Sequence, residues 1–387
     1  MKKVICTGCL FILVYAVANA TIINVPADQP TIQEGIDIAV DGDTVLVDEG
    51  SYYENINFLG KKIVVTSYYY FSGDSTYINS TIIDGSYPIN PDSGSVVVFA
   101  SGEDSLSVIS GFTIQNGSGT QCSGRFGGGV YCYHTSPLIT HNIIMGNTAF
   151  KGGAIYTENL GNAPALNISD NEIKWNSATA FGGGIYIDLG SAIIADNLIS
   201  GNCACCGGGI ASQFGWENSI VITGNKILNN QTVEGNGGGF WMDYGGTIIE
   251  FKYNLVCNNI GGGIVVLDYD FSSDIYLINN TICNNTCEGV HLAVGSFEAI
   301  NNIISYNNIG FDAWAFNQYQ INYNDVWNNP NGDYVNCEPG IANISSDPLF
   351  VDGVPFNYHL TQDSPCIDTG DPSSPLDPDG TIADMGA

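Results

Sequence analysis

The stretch FKGGAIYTENLGNAPALNISDNEIKWN, residues 150–176, places a glycine pair before one short apolar run and an asparagine on each side of another. Its second half follows the pattern N-x-[IV]-x-x-N. Copies of this pattern begin at Asn142, Asn171, Asn197, Asn225, Asn254, Asn280, Asn302 and Asn324. Successive copies start 29, 26, 28, 29, 26, 22 and 22 residues apart. A period in this range is typical of chains that stack one supersecondary unit per repeat.

Each repeat contains three short apolar runs, which in the repeat from Ala165 are ALNISDN, NEIKWN and FGGGIYIDL. The runs have the length and alternation of strands, and none shows the i, i+3, i+4 spacing of a helix. Three strands per turn, stacked in register on the next turn, make a parallel β-helix. We therefore predict an all-β solenoid with three strands per rung.

The asparagines and glycines fit the turns of such a coil. We expect the first Asn of each copy at a sharp turn, because Asn tolerates the left-handed conformation, and we expect stacked amides from rung to rung. Glycines precede the third strand, where the chain returns from a variable loop and needs positive φ or close backbone approach. They lie at 127–129, 152–153, 182–184, 207–209, 237–239, 261–263, 289 and 310.

Two columns of branched or aromatic residues are predicted to form the core. The first lies two residues after each initial Asn and comprises Ile144, Ile173, Ile199, Ile227, Val256, Ile282, Ile304 and Val326. The second lies one residue after each glycine run and comprises Val130, Ile155, Ile185, Ile210, Phe240, Ile264, Val290 and Phe311.

Residues 1–20 read as a secretory signal, with two lysines, an apolar run and a small-residue end. No other run has the roughly 18 apolar residues of a membrane helix, so we expect no transmembrane segment. The formal net charge is −30, which argues against nucleic acid and anionic membranes as partners and mildly against a polyanionic substrate unless a cation intervenes. We expect a monomer that is secreted or held at the cell surface.

We divide the chain into the signal at 1–20, an N-terminal cap and first rung at 21–60, β-helix repeats at 61–335 and an irregular capping segment at 336–387. Thr31 and Glu34 form a T-x-x-E capping box before a short helix whose apolar face holds Ile32, Ile36 and Ala39.

Ten cysteines follow the signal, a number that permits disulfides. Cys257 and Cys283 occupy equivalent positions of adjacent repeats, so they form either a rung-to-rung bridge or a stacked thiol pair. Cys337 with Cys366 is the other preferred pairing.

The repeats, together with VPADQPTIQEGIDIAVDGDTVLVDEGSYYENINFLGKKIVV from Val25 and the C-terminal DPLFVDGVPFNYHLTQDSPCIDTGD, resemble secreted right-handed parallel β-helix proteins of the pectin-lyase-like superfamily. The resemblance implies a right-handed coil with a helix over its N-terminal end. It also implies that the strand after the variable loop forms the face along which sugar chains lie. The catalytic motifs N-T-D, G-H-G and R-I-K of polygalacturonases do not occur here, so no family catalytic residue is carried over.

On that face, the residues two after the glycine runs include Tyr131, Tyr156, Tyr186 and Trp241, with Asp243 two residues further on. Aromatic rings one rung apart beside carboxylates suit a sugar-binding platform, since rings cover apolar sugar faces and carboxylates accept hydroxyl hydrogen bonds. The alternative is that these aromatics only decorate an exposed strand surface.

Glu158 and Asp188 would lie one rung apart, about 4.8 Å between backbones, which suits the two carboxyl groups of a glycoside hydrolase. Lys151 or Arg125, on loops before the same strands, could serve a lyase as base. We therefore predict Glu158, Asp188 and Lys151 as catalytic candidates and Tyr131, Tyr156, Tyr186, Trp241 and Asp243 as substrate-binding residues.

The four histidines have no metal-ligand spacing, and DPDGTIAD at 377–384 is an incomplete calcium loop, so we predict no metal site and leave Ca²⁺ open as a cofactor. The preferred function is a carbohydrate-binding or structural, adhesive module that recognises a polysaccharide or cell-surface glycan. The alternative is a polysaccharide hydrolase or lyase on the same face, and a third possibility is a passenger of a larger surface protein.

Overall fold

A computed structural model describes residues 20–159, 164–213, 218–351 and 357–387. Residues 1–19, which hold nearly all of the predicted signal, lie outside this part. Short parallel strands wind into a coil with three faces, which confirms the predicted all-β parallel β-helix with three strands per rung. Helices are few and short, at Ile32–Ile38, Tyr69–Ser72 and Thr76–Ser80. In the described residues no helix is both long and apolar enough to cross a membrane.

Face one is formed by the strands that follow the glycine runs. They are Ile56–Asn57, Val97–Phe99, Val130–Tyr133, Ile155–Glu158, Ile185–Asp188, Ile210–Gln213, Phe240–Asp243, Ile264–Leu267 and Tyr334–Val335. Two long strands, Glu288–Ile300 and Ile309–Asn322, run through face one and continue into face two.

The strands of face two come just before the asparagine motifs in the sequence. Its other strands are Ile22–Val25, Thr44–Val47, Val64–Ser67, Val108–Ser110, Leu138–Thr140, Leu166–Ser169, Ala192–Ala195, Asn218–Thr223, Thr247–Lys252 and Asp274–Ile278. Face three lies within the motifs. Its strands are Gly50–Tyr52, Thr81–Asp84, Thr113–Gln115, Ile143–Met145, Glu172–Lys174, Leu198–Ser200, Lys226–Leu228, Leu255–Cys257, Thr281–Cys283, Ile303–Ser305 and Asp325–Trp327.

Seven further strands form an outer sheet between face three and face one. They are Ser93–Gly94, Gly119–Gln121, Arg125–Phe126, Thr148–Lys151, Ser177–Phe181, Cys203–Cys206 and Gln231–Asn236. The sequence suggested variable loops here. Instead, the segments from 148 to 236 pair in parallel from rung to rung, because each begins at a fixed distance from the asparagine before it.

Both predicted core columns are confirmed. Every residue of the two columns named from the sequence has no exposed surface, and all sixteen belong to one continuous apolar cluster. Strict register explains this continuity, since each inward side chain contacts its equivalents one rung above and one rung below.

The asparagines form two buried hydrogen-bonded ladders, which confirms the expected stacking of amides. In the first ladder, Asn171 donates from its backbone and from Nδ2 to Asn197 Oδ1, at 2.9 and 3.1 Å. In the second, Asn176 does the same to Asn202 Oδ1, at 3.0 and 3.0 Å. Each amide also donates to a backbone carbonyl, as Asn202 does to Ile173 at 2.9 Å.

The expected left-handed conformation belongs to the residue before the asparagine, not to the asparagine itself. Asp170 and Trp175 have φ of 58° and 55°, and Gly201 has φ of 64°. The sequence prediction was wrong on this detail because the buried amide, and not the turn, is what requires Asn. The glycine runs do combine positive φ with close approach: Gly182 has φ of 66°, and a Cβ on Gly183 would lie 2.5 Å from carbonyl oxygens of the next rung.

The N-terminal helix closes one end of the coil. Thr31 Oγ1 accepts from the Glu34 backbone at 3.1 Å, and the predicted apolar face of Ile32, Ile36 and Ala39 is buried. The Glu54 carboxylate accepts the backbone N–H groups of Ile32 and Gln33, both at 3.0 Å.

The described part of the C-terminal segment lies against the outside of the last rungs. Met385 and Cys366 pack with Ile303, and the Asp384 carbonyl accepts from Asn279 at 2.8 Å. Cys257 and Cys283 are register partners that no disulfide joins, so they form the stacked thiol pair. Cys337 lies in the main core and Cys366 Sγ contacts Asp325 at 3.2 Å, so the predicted Cys337–Cys366 pairing is not formed.

Candidate functional site

The aromatic column on face one is covered, which contradicts the prediction of an exposed platform. Tyr131, Tyr156, Tyr186 and Trp241 are 5%, 0%, 0% and 4% exposed. They form a second apolar cluster outside the main core. The physical reason is the outer sheet, which folds over face one and buries these rings.

Two phenylalanines immediately before glycine runs supply much of this cover. The Phe126 ring stacks on Tyr156 with centroids 4.7 Å apart, and the Phe181 ring stacks on Trp241 at 5.1 Å. The tyrosine rings also follow one another at one-rung spacing, with Tyr156 to Tyr186 at 5.8 Å. Sequence reasoning missed both phenylalanines, although their shared place before the glycines was a usable signal.

Two predicted catalytic residues are brought together through a tyrosine hydroxyl. Glu158 and Asp188 are register partners at the ends of adjacent face-one strands. The Tyr156 hydroxyl donates to Glu158 Oε2 at 2.8 Å and to Asp188 Oδ2 at 3.1 Å. The two carboxylate oxygens therefore lie within about 6 Å of each other, close to the separation of paired carboxyl groups in retaining glycosidases.

Lys151 joins the same cluster from the outer sheet, where it ends a strand and not a loop. Its Nζ donates to the Tyr186 hydroxyl at 2.9 Å and lies 3.5 Å from Asp188 Oδ2. The ammonium also lies 4.6 Å from the Tyr186 ring centroid. Tyr186 in turn donates to Gln213 Oε1 at 2.8 Å, which extends the network by one rung. We call Lys151, Tyr156, Glu158, Asp188 and Tyr186 the carboxylate cluster.

Burial and the carboxylates act on the two tyrosines in the same direction. Burial, then the charges of Asp188 and Glu158, raise the pKa of Tyr156 well above its usual range, and burial with the same charges raises that of Tyr186. Both phenols therefore stay protonated and keep donating. Their hydroxyls orient the carboxylates, a role that differs from the sugar stacking predicted for the rings.

Part of the carboxylate cluster is accessible. The side chains of Lys151 and Asp188 are 15% and 16% exposed. Beyond Glu158 on the preceding rung, Tyr133 is 38% exposed, and its ring lies parallel to that of Tyr131 at 6.3 Å. Tyr133 is thus an open aromatic surface beside the carboxylates.

Asp243 and Arg125 lie apart from the carboxylate cluster. Asp243 is separated from Asp188 by the strand that carries Gln213, and burial raises its pKa. Its Oδ1 has no hydrogen-bond partner, and neither has Trp241 Nε1. Arg125 is in the outer sheet, where Nη1 donates to the carbonyls of Pro91 and Gly119 at 2.9 and 3.2 Å.

The sequence predicted no metal site. Within the described residues, one group of side chains has the geometry to hold a metal ion: Glu288, His291 and Asp312. His291 and Asp312 stand in the same face-one column as the buried tyrosines, on consecutive rungs. The incomplete calcium motif at 377–384 forms a turn in which the Thr381 N–H donates to Asp379 and the Asp384 N–H donates to Asp377.

A family model described as the right handed beta helix region matches residues 153–326. Two solved structures of a PL6 family alginate lyase, AlyGC, are similar to this chain. The first, a mutant, has 15% sequence identity and a TM-score of 0.45; the second has 13% and 0.39. Each covers 89% of this chain, whereas this chain spans 55% and 56% of theirs.

Proposed function

We propose that this right-handed parallel β-helix protein binds a polysaccharide at the carboxylate cluster, as a secreted or cell-surface module. The observation that carries the proposal is the arrangement of Glu158 and Asp188, held by one tyrosine hydroxyl and one lysine at a partly exposed edge. The Tyr156 hydroxyl and Lys151 of the outer sheet hold these carboxylates in place, so the carboxylates are oriented before any ligand binds. Orientation in advance lowers the entropy lost on binding.

The burial of the aromatic column changes how such a ligand would be held. Rings that are 0–5% exposed do not stack on sugars, so recognition would come from hydroxyl groups that donate to Glu158 and Asp188. Tyr133 and Phe150 offer rings with open surface for stacking in this neighbourhood, at 38% and 44% exposed. A chain with a net charge of −30 favours a neutral glycan over a polyanion.

The test is a binding assay of the protein against a panel of neutral and acidic polysaccharides. We expect Glu158→Gln and Asp188→Asn each to weaken binding about tenfold or more, since a lost charged hydrogen bond costs about 1.5–3 kcal/mol. Tyr156→Phe keeps the ring and removes the hydroxyl, so it should weaken binding less. Glu250→Gln is the matched control, an outward carboxylate of face two that pairs with Lys252 at 2.6 Å.

Binding that survives the Glu158 and Asp188 substitutions, or that falls equally in Glu250→Gln, would contradict the proposal that the carboxylate cluster is the binding site. No binding to any polysaccharide would favour the structural, adhesive interpretation of the fold.

A second function, polysaccharide hydrolysis, is favoured by one specific observation: the Glu158 and Asp188 oxygens that share the Tyr156 hydroxyl lie no more than about 6 Å apart. At that distance one carboxyl group can protonate the leaving oxygen while the other attacks the sugar. Lys151 is already engaged by Tyr186 and Asp188, which supports a positioning role over that of a lyase base. Release of reducing ends that disappears in the Glu158→Gln, Asp188→Asn double variant would establish hydrolysis, and unsaturated ends would indicate a lyase instead.

A further inference from the structure

Near its C-terminal end, face one brings Glu288, His291 and Asp312 together. One ligand atom from each lies within 4.8 Å of the others. His291 and Asp312 are register partners in the two long strands, and His291 Nδ1 is 3.0 Å from Asp312 Oδ2. Glu288 lies three residues before His291, at the start of the same strand.

We propose that these three side chains bind a divalent first-row transition-metal ion of the Zn²⁺ class. One imidazole and two carboxylates are a donor set that Zn²⁺ accepts at about 2.0–2.2 Å, with a fourth position left for water. Ligands on a tetrahedral ion at that distance lie about 3.4 Å apart, so small side-chain rotations bring these atoms into place. Calcium fits poorly, because it prefers six to eight oxygen ligands.

The surroundings support a site for an added cation. Asn336 Nδ2 donates to Asp312 Oδ1 at 2.7 Å, which fixes the carboxylate with its other oxygen beside His291. Support of this kind is typical around metal ligands. The side chains of His291 and Asp312 are 25% and 15% exposed, so an ion can reach them while most of the surrounding water is excluded.

The charges near the C-terminal end of face one also favour the binding of a cation. No lysine or arginine occurs after Lys252 in the sequence. Within the described residues, Glu288 and Asp312 form no ion pair with a lysine or arginine, whereas Asp188 in the carboxylate cluster pairs with Lys151. A bound dication would supply the missing positive charge.

The metal site is independent of the proposed polysaccharide site. Four strand steps along face one separate Asp188 from His291, or about 19 Å at 4.8 Å per step. Either proposal can fail without the other, because neither uses the residues of the other.

The test is titration of the chelator-treated, untagged full chain with Zn²⁺ alone, in the presence of a non-chelating reductant and at neutral pH, by calorimetry. We expect about one ion per chain. Loss of a ligand in His291→Ala or Asp312→Asn should weaken binding at least tenfold, and Asn336→Ala about tenfold. His359→Ala is the matched control and should change nothing, since His359 is exposed and outside the group.

Cysteine thiols are the main competing ligands, and Cys287 is next to Glu288. Cys287→Ser should therefore retain the site, and Co²⁺ bound there should lack sulfur-to-cobalt charge-transfer absorption. Near-ultraviolet circular dichroism checks that each variant is folded, and the isosteric Asp312→Asn remains informative if His291→Ala does not fold. The proposal is overturned by failure of the native chain to bind Zn²⁺, by binding that persists in both ligand variants, or by Ca²⁺ competing as well as Zn²⁺.

Discussion

At the scale of single residues, the tyrosines of face one serve two purposes at once. The Tyr156 ring is stacked under Phe126, while its hydroxyl contacts both Glu158 and Asp188. A phenol suits this position because its body is apolar and its tip is a donor. The sequence alone drew attention to this tyrosine, but the expectation that its ring is exposed was wrong.

Asp325 is a buried acid whose charge opposes folding. Burial raises its pKa to about 6, although the Ser346 N–H and the Cys366 thiol donate to it and partly offset the effect. The folded chain thus holds this proton more tightly than the unfolded chain, whose aspartate has a pKa of about 3.9. Its contribution to stability is therefore full below about pH 4 and is lost as the pH rises through about 6.

We predict that Asp325→Asn raises the free energy of unfolding at neutral pH by about 2 kcal/mol, and removes this part of the pH dependence. Urea unfolding at several pH values between about 4 and 8 measures both effects. Asp363→Asn, an exposed carboxylate of the C-terminal segment, is the control and should leave the profile unchanged. A native-like pH profile in Asp325→Asn would show that burial does not control the titration of this acid.

At the scale of elements, the two asparagine ladders supply side-chain hydrogen bonds to backbone groups at the turns on either side of face three. Each side chain accepts a backbone N–H of one rung and donates to a backbone carbonyl, so the corners of the coil stay hydrogen bonded while fully buried. Unpaired backbone groups at such depth would be costly. This explains why Asn, and no smaller polar residue, recurs on both sides of face three.

We predict that Asn202→Ala destabilises the chain by about 2–4 kcal/mol, because it removes the side-chain acceptor of the buried Asn176 N–H and Nδ2 groups and one donor to the Ile173 carbonyl. The midpoint of chemical unfolding is the measurement. Asn79→Ala, at an exposed helical position, is the control and should shift the midpoint little. An equal shift in both variants would mean that the ladder contributes no more than an ordinary surface amide.

At the scale of the whole molecule, the fold is a one-dimensional stack with a strong negative charge. Each rung contacts its neighbours through register-matched strands, and the formal net charge is −30. Similar charges repel along the whole length of the stack, and salt screens that repulsion within about 10 Å at 0.1 M ionic strength.

We therefore predict that the melting temperature rises as monovalent salt is increased from low concentration to about 0.5 M. Differential scanning calorimetry, run with chloride salts of two monovalent cations, separates general screening from binding of a particular ion. A melting temperature that stays constant or falls with salt would show that charge repulsion does not limit the stability of the stack.

The repeat period alone predicted the coil, the two core columns and the stacked asparagines, because these depend on residues that recur at fixed offsets and contact their own equivalents. Asn171 above Asn197 and Ile155 above Ile185 follow from spacing without any knowledge of the rest. The same spacing placed Glu158 beside Asp188 in the register.

Only the tertiary structure decided what lies against these columns. The outer sheet brings Phe126, Phe181 and Lys151 over face one from segments that read as loops, and it thereby buries the tyrosines and completes the carboxylate cluster. Likewise, Asn336 reaches the His291–Asp312 pair from beyond the last repeat, and Glu288 reaches it from the position before a glycine run. Recurrence along the chain determines which residues stack, whereas the burial of a side chain depends on the segments folded over it, whose lengths and residue types vary from rung to rung.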